Sequence, residues 1–127
     1  MRPRPPANEK PLHWIGSAKR DLLSFPERVV RAVGYDLSAV QYGSQPPSAK
    51  PWKGLGAGVW QLTEQDASGT YRAVYTVQFA QAIYVLHAFQ KKSPSGIRTP
   101  RTDVALIGRR LTAAKHDYEA RYGKEEN

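Results

Sequence analysis

The sequence predicts an α+β fold in which helices come first, an antiparallel sheet follows and a helix closes the chain. Three observations carry this. Apolar residues recur at helical spacing between Pro26 and Tyr42, three runs rich in β-branched and aromatic residues succeed one another from Val59 to Gln90, and a second helical stripe runs on from Thr99. The 127 residues suffice for one domain that closes a core without metal or disulfide staples. Its expected bounds are 11–123, between disordered tails at 1–10 and 124–127.

The opening Met1-Arg2-Pro3-Arg4-Pro5-Pro6 is charged and proline-rich, and has no period. Pro11 to Ile15 is short and apolar and stops at Gly16, which predicts an edge strand leading to a first helix over Ser17–Ser24. Pro26 suits the first position of the next helix, where its missing N–H costs nothing. Behind it Val29, Val33, Leu37 and Val40 form one stripe as far as about Tyr42, and Gly43 with Gln45-Pro46-Pro47 ends it, leaving a loop over 43–50.

Strands are expected over 59–65, 70–78 and 82–90, joined by the turn Asp66-Ala67-Ser68-Gly69 and by Phe79-Ala80-Gln81. Consecutive short connections make an antiparallel meander. After the loop Lys91 to Gly96, Thr99-Pro100 reads as an N-cap followed by proline at the first helical position. Val104, Ile107, Leu111, Ala114 and Tyr118 then keep the spacing of a buried stripe, and Gly123 stops the helix.

Composition narrows the chemistry. The absence of cysteine excludes disulfides, thiolate zinc sites and a cysteine nucleophile. The three histidines lie far apart and no paired metal-ligand spacing occurs, so neither a metal nor another cofactor is expected. There is no apolar run long enough for a membrane span or a signal peptide, and the expected location is the cytoplasm. The net charge of +8 is concentrated: residues 50–101 hold seven basic residues against Glu64 and Asp66. A field of that kind draws polyanions through counterion release and steering.

Strand alternation then groups the candidates. Trp60 and Leu62 fall on one face, with Val59, Gln61 and Thr63 on the other, while Ile83, Val85, His87 and Phe89 form a row that leads out to Lys91. Arg72 is the one charge in an apolar run, a place where a charge is rarely kept without use or a partner. With Lys53 before the sheet and Lys91-Lys92 after it, the strands predict a concave basic site. Its alternative is a bland one: a core histidine, a solvated loop, and Arg72 paired with Glu64 or Asp66 across the hairpin.

Such a set suits metal-free cleavage of RNA. Arg72 would clamp phosphate, one of the crowded lysines would act as base, and His87 would protonate the leaving oxygen. Phe89 or Tyr75 would stack a base, and Arg98 and Arg101 extend the basic run toward the last helix as further RNA contacts.

Three phrases resemble a known family: Lys53 to Leu62, Gly69 to Tyr75, and Ala82 to Ser93, whose segment Leu86-His87-Ala88-Phe89-Gln90-Lys91-Lys92-Ser93 is the most specific. They look like the phage-derived, HigB-like branch of the RelE/ParE toxins of type II toxin–antitoxin systems. The resemblance implies a RelE-like α+β fold, with two N-terminal helices packed on one side of an antiparallel three- to four-stranded sheet and a C-terminal helix after it. It also implies a ribosome-dependent mRNA endoribonuclease that inhibits translation. A helix-turn-helix, HigA-like antitoxin would silence it, and operator DNA would be met only through that complex. A non-enzymatic, ParE-like inhibitor of DNA gyrase on the same fold is the alternative. By matching position Lys53, Arg72, His87, Lys91 and Lys92 inherit active-site roles. Where family members commonly carry Glu-Leu-Arg, this chain has Gln61-Leu62-Thr63.

Overall fold

Val29, Val33, Leu37 and Val40 are all buried along one side of a fifteen-residue helix, as their spacing dictates. The computed structural model describes residues 8–91 and 100–124, so Lys92, Arg98, Thr99 and most of both expected tails lie outside the described residues. In chain order the elements are β1 (Leu12–Trp14), α1 (Ala18–Leu23), α2 (Glu27–Gln41), β2 (Ala49–Pro51), β3 (Val59–Asp66), β4 (Gly69–Thr76), β5 (Ile83–Lys91) and α3 (Arg101–Tyr122). Pro26 and Pro100 stand one residue before their helices, and the N–H groups of Val30 and Val104 donate to their carbonyls. Lys10, assigned to the tail, is instead held by α2: its N–H donates to the Gln41 carbonyl, and the Gln41 amide donates to the carbonyl of Lys10.

The sheet has five strands in the order β1-β5-β4-β3-β2. The meander β3–β4–β5 is antiparallel as expected, but β1 joins β5 in parallel and β2 adds an antiparallel edge on β3. β2 overlaps the end of the expected loop 43–50 and runs one residue past it. Three residues containing Pro51 carry too little alternation to signal a strand, and the edge position tolerates the proline.

The two faces bury different helices. Leu62, Tyr71, Ala73, Tyr75, Ile83 and Val85 pack with α1 and α2, while Val59, Val74, Tyr84, Leu86 and Phe89 pack with Ile107, Leu111, Ala114 and Tyr118 of α3. Each fully buried side chain of this size contributes roughly 1.5–3 kcal/mol of transfer free energy. Val104 departs from its expected stripe and is 44% exposed, because the buried side of α3 begins only at Ile107.

A β-bulge shifts the parity of β5. Val74 pairs with His87 but Tyr75 pairs with Val85, which leaves Leu86 as the extra residue. Ile83 and Val85 therefore face α1 and α2, whereas His87 and Phe89 face α3. The expected row of four is split at the bulge; only its outer half, with Lys91, keeps one face.

The end of α3 is fastened to the sheet by polar aromatic contacts. The Tyr84 hydroxyl donates to Asp117 Oδ2 at 2.5 Å, Arg121 Nε donates to the same oxygen at 2.7 Å, and His13 Nε2 is hydrogen-bonded to the Tyr122 hydroxyl at 2.8 Å. Burial, then the Arg121 charge, lowers the His13 pKa from its ordinary 6.5; the Tyr84 hydrogen bond leads the lowering at Asp117 from 3.8. Both folded-state values lie below the unfolded ones, so both groups contribute stability at neutral pH that is lost on acidification, His13 first below about 6.5 and Asp117 below about 3.8. The melting temperature is thus expected to fall between pH 7 and 5.5, and His13→Gln should flatten that slope; an equally steep slope in the variant would remove His13 from the clasp. Among the described residues no helix is long and apolar enough to cross a membrane.

Candidate nucleic-acid interface

Arg72 lies midway along β4, opposite Thr63 on β3 and Phe89 on β5. Alternation places Thr70, Arg72 and Val74 on the α3 face, together with Gln61 and Thr63 of β3 and Lys50 of β2, which pairs with Gln61. The close backbone approach of α3 to the sheet is along β5. A polar strip over β2, β3 and β4 results, with Lys50, Gln61, Thr63, Arg72 and, at the end of β5, Lys91.

The nearby acids do not reach it. Glu64 and Asp66 point to the other face, where Arg28 of α2 lies 3.9 Å from Glu64 and 3.6 Å from Asp66 and also donates to the Gln65 carbonyl. The cross-hairpin pairing of Arg72 with either acid is thereby excluded. Among the described residues Arg72 Nε is buried with no hydrogen-bond partner, and so is Gln61 Oε1 on the same face. Buried polar atoms left unpaired in this way are uncommon in folded proteins.

His87, expected as proton donor to the leaving oxygen or else as a core histidine, is buried. It is 6% exposed, its Nε2 lies 2.8 Å from Asp103 Oδ1, and its ring stacks on Phe89 with centroids 4.9 Å apart. On its other side Arg110 reaches Nδ1 at 3.4 Å while donating to the Leu86 carbonyl and to Ser17 Oγ, both at 3.0 Å. Asp103 and Arg110 flank the imidazole at its two nitrogens, one a carboxylate and the other a guanidinium. The imidazole thus joins the bulge of β5 to α3. Arg110 stands three residues after Ile107 and four before Ala114, at the flank of the buried stripe, so helical spacing alone turns it inward; what is not local is the bulge carbonyl it satisfies.

The other expected site residues divide. Phe89 is on the Arg72 face but 8% exposed, lying beneath His87 rather than open to a base. Tyr75 is on the wrong face: 1% exposed and facing α2, it lines a cavity of about 250 Å³ with Trp60, Val40 and Ile83, and burial pushes its hydroxyl up to about 12. Base stacking by Tyr75 beside Arg72 is excluded by the sheet itself. Lys53 is exposed in the β2–β3 connection, next to Trp52, whose N–H donates to the Val59 carbonyl. Lys91 belongs with Thr70 and Gln65 at the opposite end of the strands, roughly 20 Å away along β3 at 3.3 Å per residue. These two lysines are not gathered. Lys50, overlooked because β2 was read as a loop, stands nearer to Arg72 than Lys53 does in the strand register. Arg101 opens α3, exposed, two residues before Asp103. No group of three His, Asp or Glu among the described residues is placed to hold a metal ion.

Helices on both faces of a largely antiparallel sheet, and in a cationic strip an arginine whose Nε has no partner among the described residues, define a small basic α+β protein. The chain belongs to the family described as "Phage derived protein Gp49-like (DUF891)", whose model matches residues 20–112. This agrees with the phage-derived branch of the RelE/ParE toxins that the sequence resembles from about Pro11 to Tyr122. A chain in the crystal structure of the toxin–antitoxin complex RelBE2 from Mycobacterium tuberculosis is similar at 24% identity with a TM-score of 0.44, over 65% of this chain and 99% of that one. No curated protein matches the chain.

Proposed function

We propose that the chain is the toxin of a type II toxin–antitoxin system and cleaves mRNA on the ribosome without a metal. The observation that carries this reading is Arg72 on the acid-free strip, its Nε buried and unpaired, with the neighbouring carboxylates drawn to Arg28 on the other face. A guanidinium so placed takes a phosphate and stabilises the charge that grows on it as the ribose 2′-oxygen attacks phosphorus. In that step the 2′-hydroxyl gives up its proton to solvent, the bond from phosphorus to the 5′-oxygen breaks, and the leaving oxygen takes a proton from an ammonium of the strip, Lys50 or Lys91. His87, Asp103 and Arg110 hold Phe89 and α3 in place beneath the nucleotide. Arg101, at the start of α3, would meet the same strand of RNA farther along. The protein partner is an antitoxin, of the helix-turn-helix, HigA-like kind.

Primer extension across a reporter mRNA in a purified translation system tests this. Cuts that require ribosomes, and that disappear when antitoxin is added, are expected. Intact mRNA together with growth arrest in cells would transfer the protein to the gyrase-inhibitor class.

A further inference from the structure

We infer that Gln61 is a substrate-contact residue that selects ribose: its side-chain carbonyl accepts a hydrogen bond from the 2′-hydroxyl next to the phosphate held by Arg72. The inference rests on the proposed phosphate clamp and adds to it a second group with a different partner.

Two buried atoms on one face lack partners, and their polarity is opposite. Arg72 Nε is a donor and Gln61 Oε1 an acceptor. Gln61 pairs with Val74, two residues from Arg72, so the two side chains are diagonal neighbours with Cα atoms about 7–8 Å apart. Both are long enough to converge on one small ligand. They have not satisfied each other, and a single ligand that satisfies both must offer an acceptor and a donor a few ångströms apart. A phosphodiester with the adjacent 2′-hydroxyl has that pattern, an anionic oxygen for the guanidinium and an O–H for the amide carbonyl. DNA supplies the first alone.

An amide also suits the electrostatics of the position. A carboxylate at 61 would accept the same hydrogen bond, but it would repel the phosphate and compete with it for Arg72. Leucine, nearly isosteric, would keep the packing and remove the acceptor. Because it also removes a buried unpaired polar atom, Gln61→Leu should melt no lower than the wild type, which separates loss of recognition from loss of fold.

The experiment is fluorescence anisotropy at low salt with the full chain and four labelled 12-mers of one sequence, made of RNA, DNA, 2′-fluoro or 2′-O-methyl nucleotides. Wild type should bind RNA roughly tenfold tighter than the other three, since only RNA offers the 2′ O–H. Gln61→Leu should bind all four alike, and Gln61→Glu should keep the RNA preference with weaker binding throughout. Equal binding of the four probes by wild type, an RNA preference that survives in Gln61→Leu, or one that is lost in Gln61→Glu, overturns the role of Gln61. The clamp stands in those cases so long as Arg72→Ala weakens every probe. If Arg72→Ala changes none of them, or if wild type binds no probe, the clamp fails and the inference falls with it.

Discussion

Arg72→Ala is expected to lower cleavage of ribosome-bound mRNA by about a hundredfold or more, the range seen when one fixed donor to a developing anion is removed. Stability should barely change. Among the described residues Arg72 makes no hydrogen bond through its buried Nε and no carboxylate is paired with it, so the substitution removes an unpaired group at the expense of some aliphatic packing beside Phe89. A melting temperature within about 4 °C of wild type is the expected control, on the scale of 1 kcal/mol for a domain of this size. Arg72→Lys tests geometry rather than charge: an ammonium keeps the attraction for phosphate but loses the planar fork, so only partial activity should return. Wild-type cleavage by Arg72→Ala, measured by primer extension at matched protein concentration, would show that the strip is not where RNA is cut.

The reach of the sequence can be judged on particular residues. The stripes Val29–Val33–Leu37–Val40 and Ile107–Leu111–Ala114–Tyr118 were legible because helical burial repeats within a few residues. The central meander was legible because its connections are short and its strands rich in aromatic and β-branched residues. Arg72 was legible as a charge out of place. What escaped depends on information that is not local. One extra residue at Leu86 re-aims His87 relative to Val85, and no composition signal announces it. β2 exists because β3 offers it an edge, which brings Lys50 to the strip and leaves Lys53 beyond it. Tyr75 stands three residues from Arg72, and residues three apart on a strand face opposite ways, so parity alone separates the two. Asp66 and Glu64, close to Arg72 in the hairpin, were removed from its surroundings by the same rule, and that is what leaves the guanidinium unpaired.

The second large effect belongs to Arg110, where stability rather than chemistry is at stake. Its guanidinium donates to the Leu86 carbonyl and to Ser17 Oγ, and it approaches His87 Nδ1, so one side chain of α3 satisfies the bulge of β5 and the start of α1 together. It lies against Gly16, whose backbone φ of +56° favours glycine and where an added Cβ would come to 3.0 Å from the guanidinium and press on it. Arg110→Met keeps the aliphatic stem and removes the donors, stranding a buried carbonyl at an irregular point of the sheet. A loss of about 3 kcal/mol is expected, a fall in melting temperature of around 10 °C. Arg110→Lys should recover only part of it, because one ammonium cannot span three acceptors on two elements. Arg109→Ala, the exposed neighbour, is the control and should stay within about 0.5 kcal/mol. If Arg110→Met melts with Arg109→Ala, the bulge is held by strand pairing alone; if it melts near 10 °C lower yet cleaves normally when folded, Arg110 supports the fold and leaves the strip to Arg72.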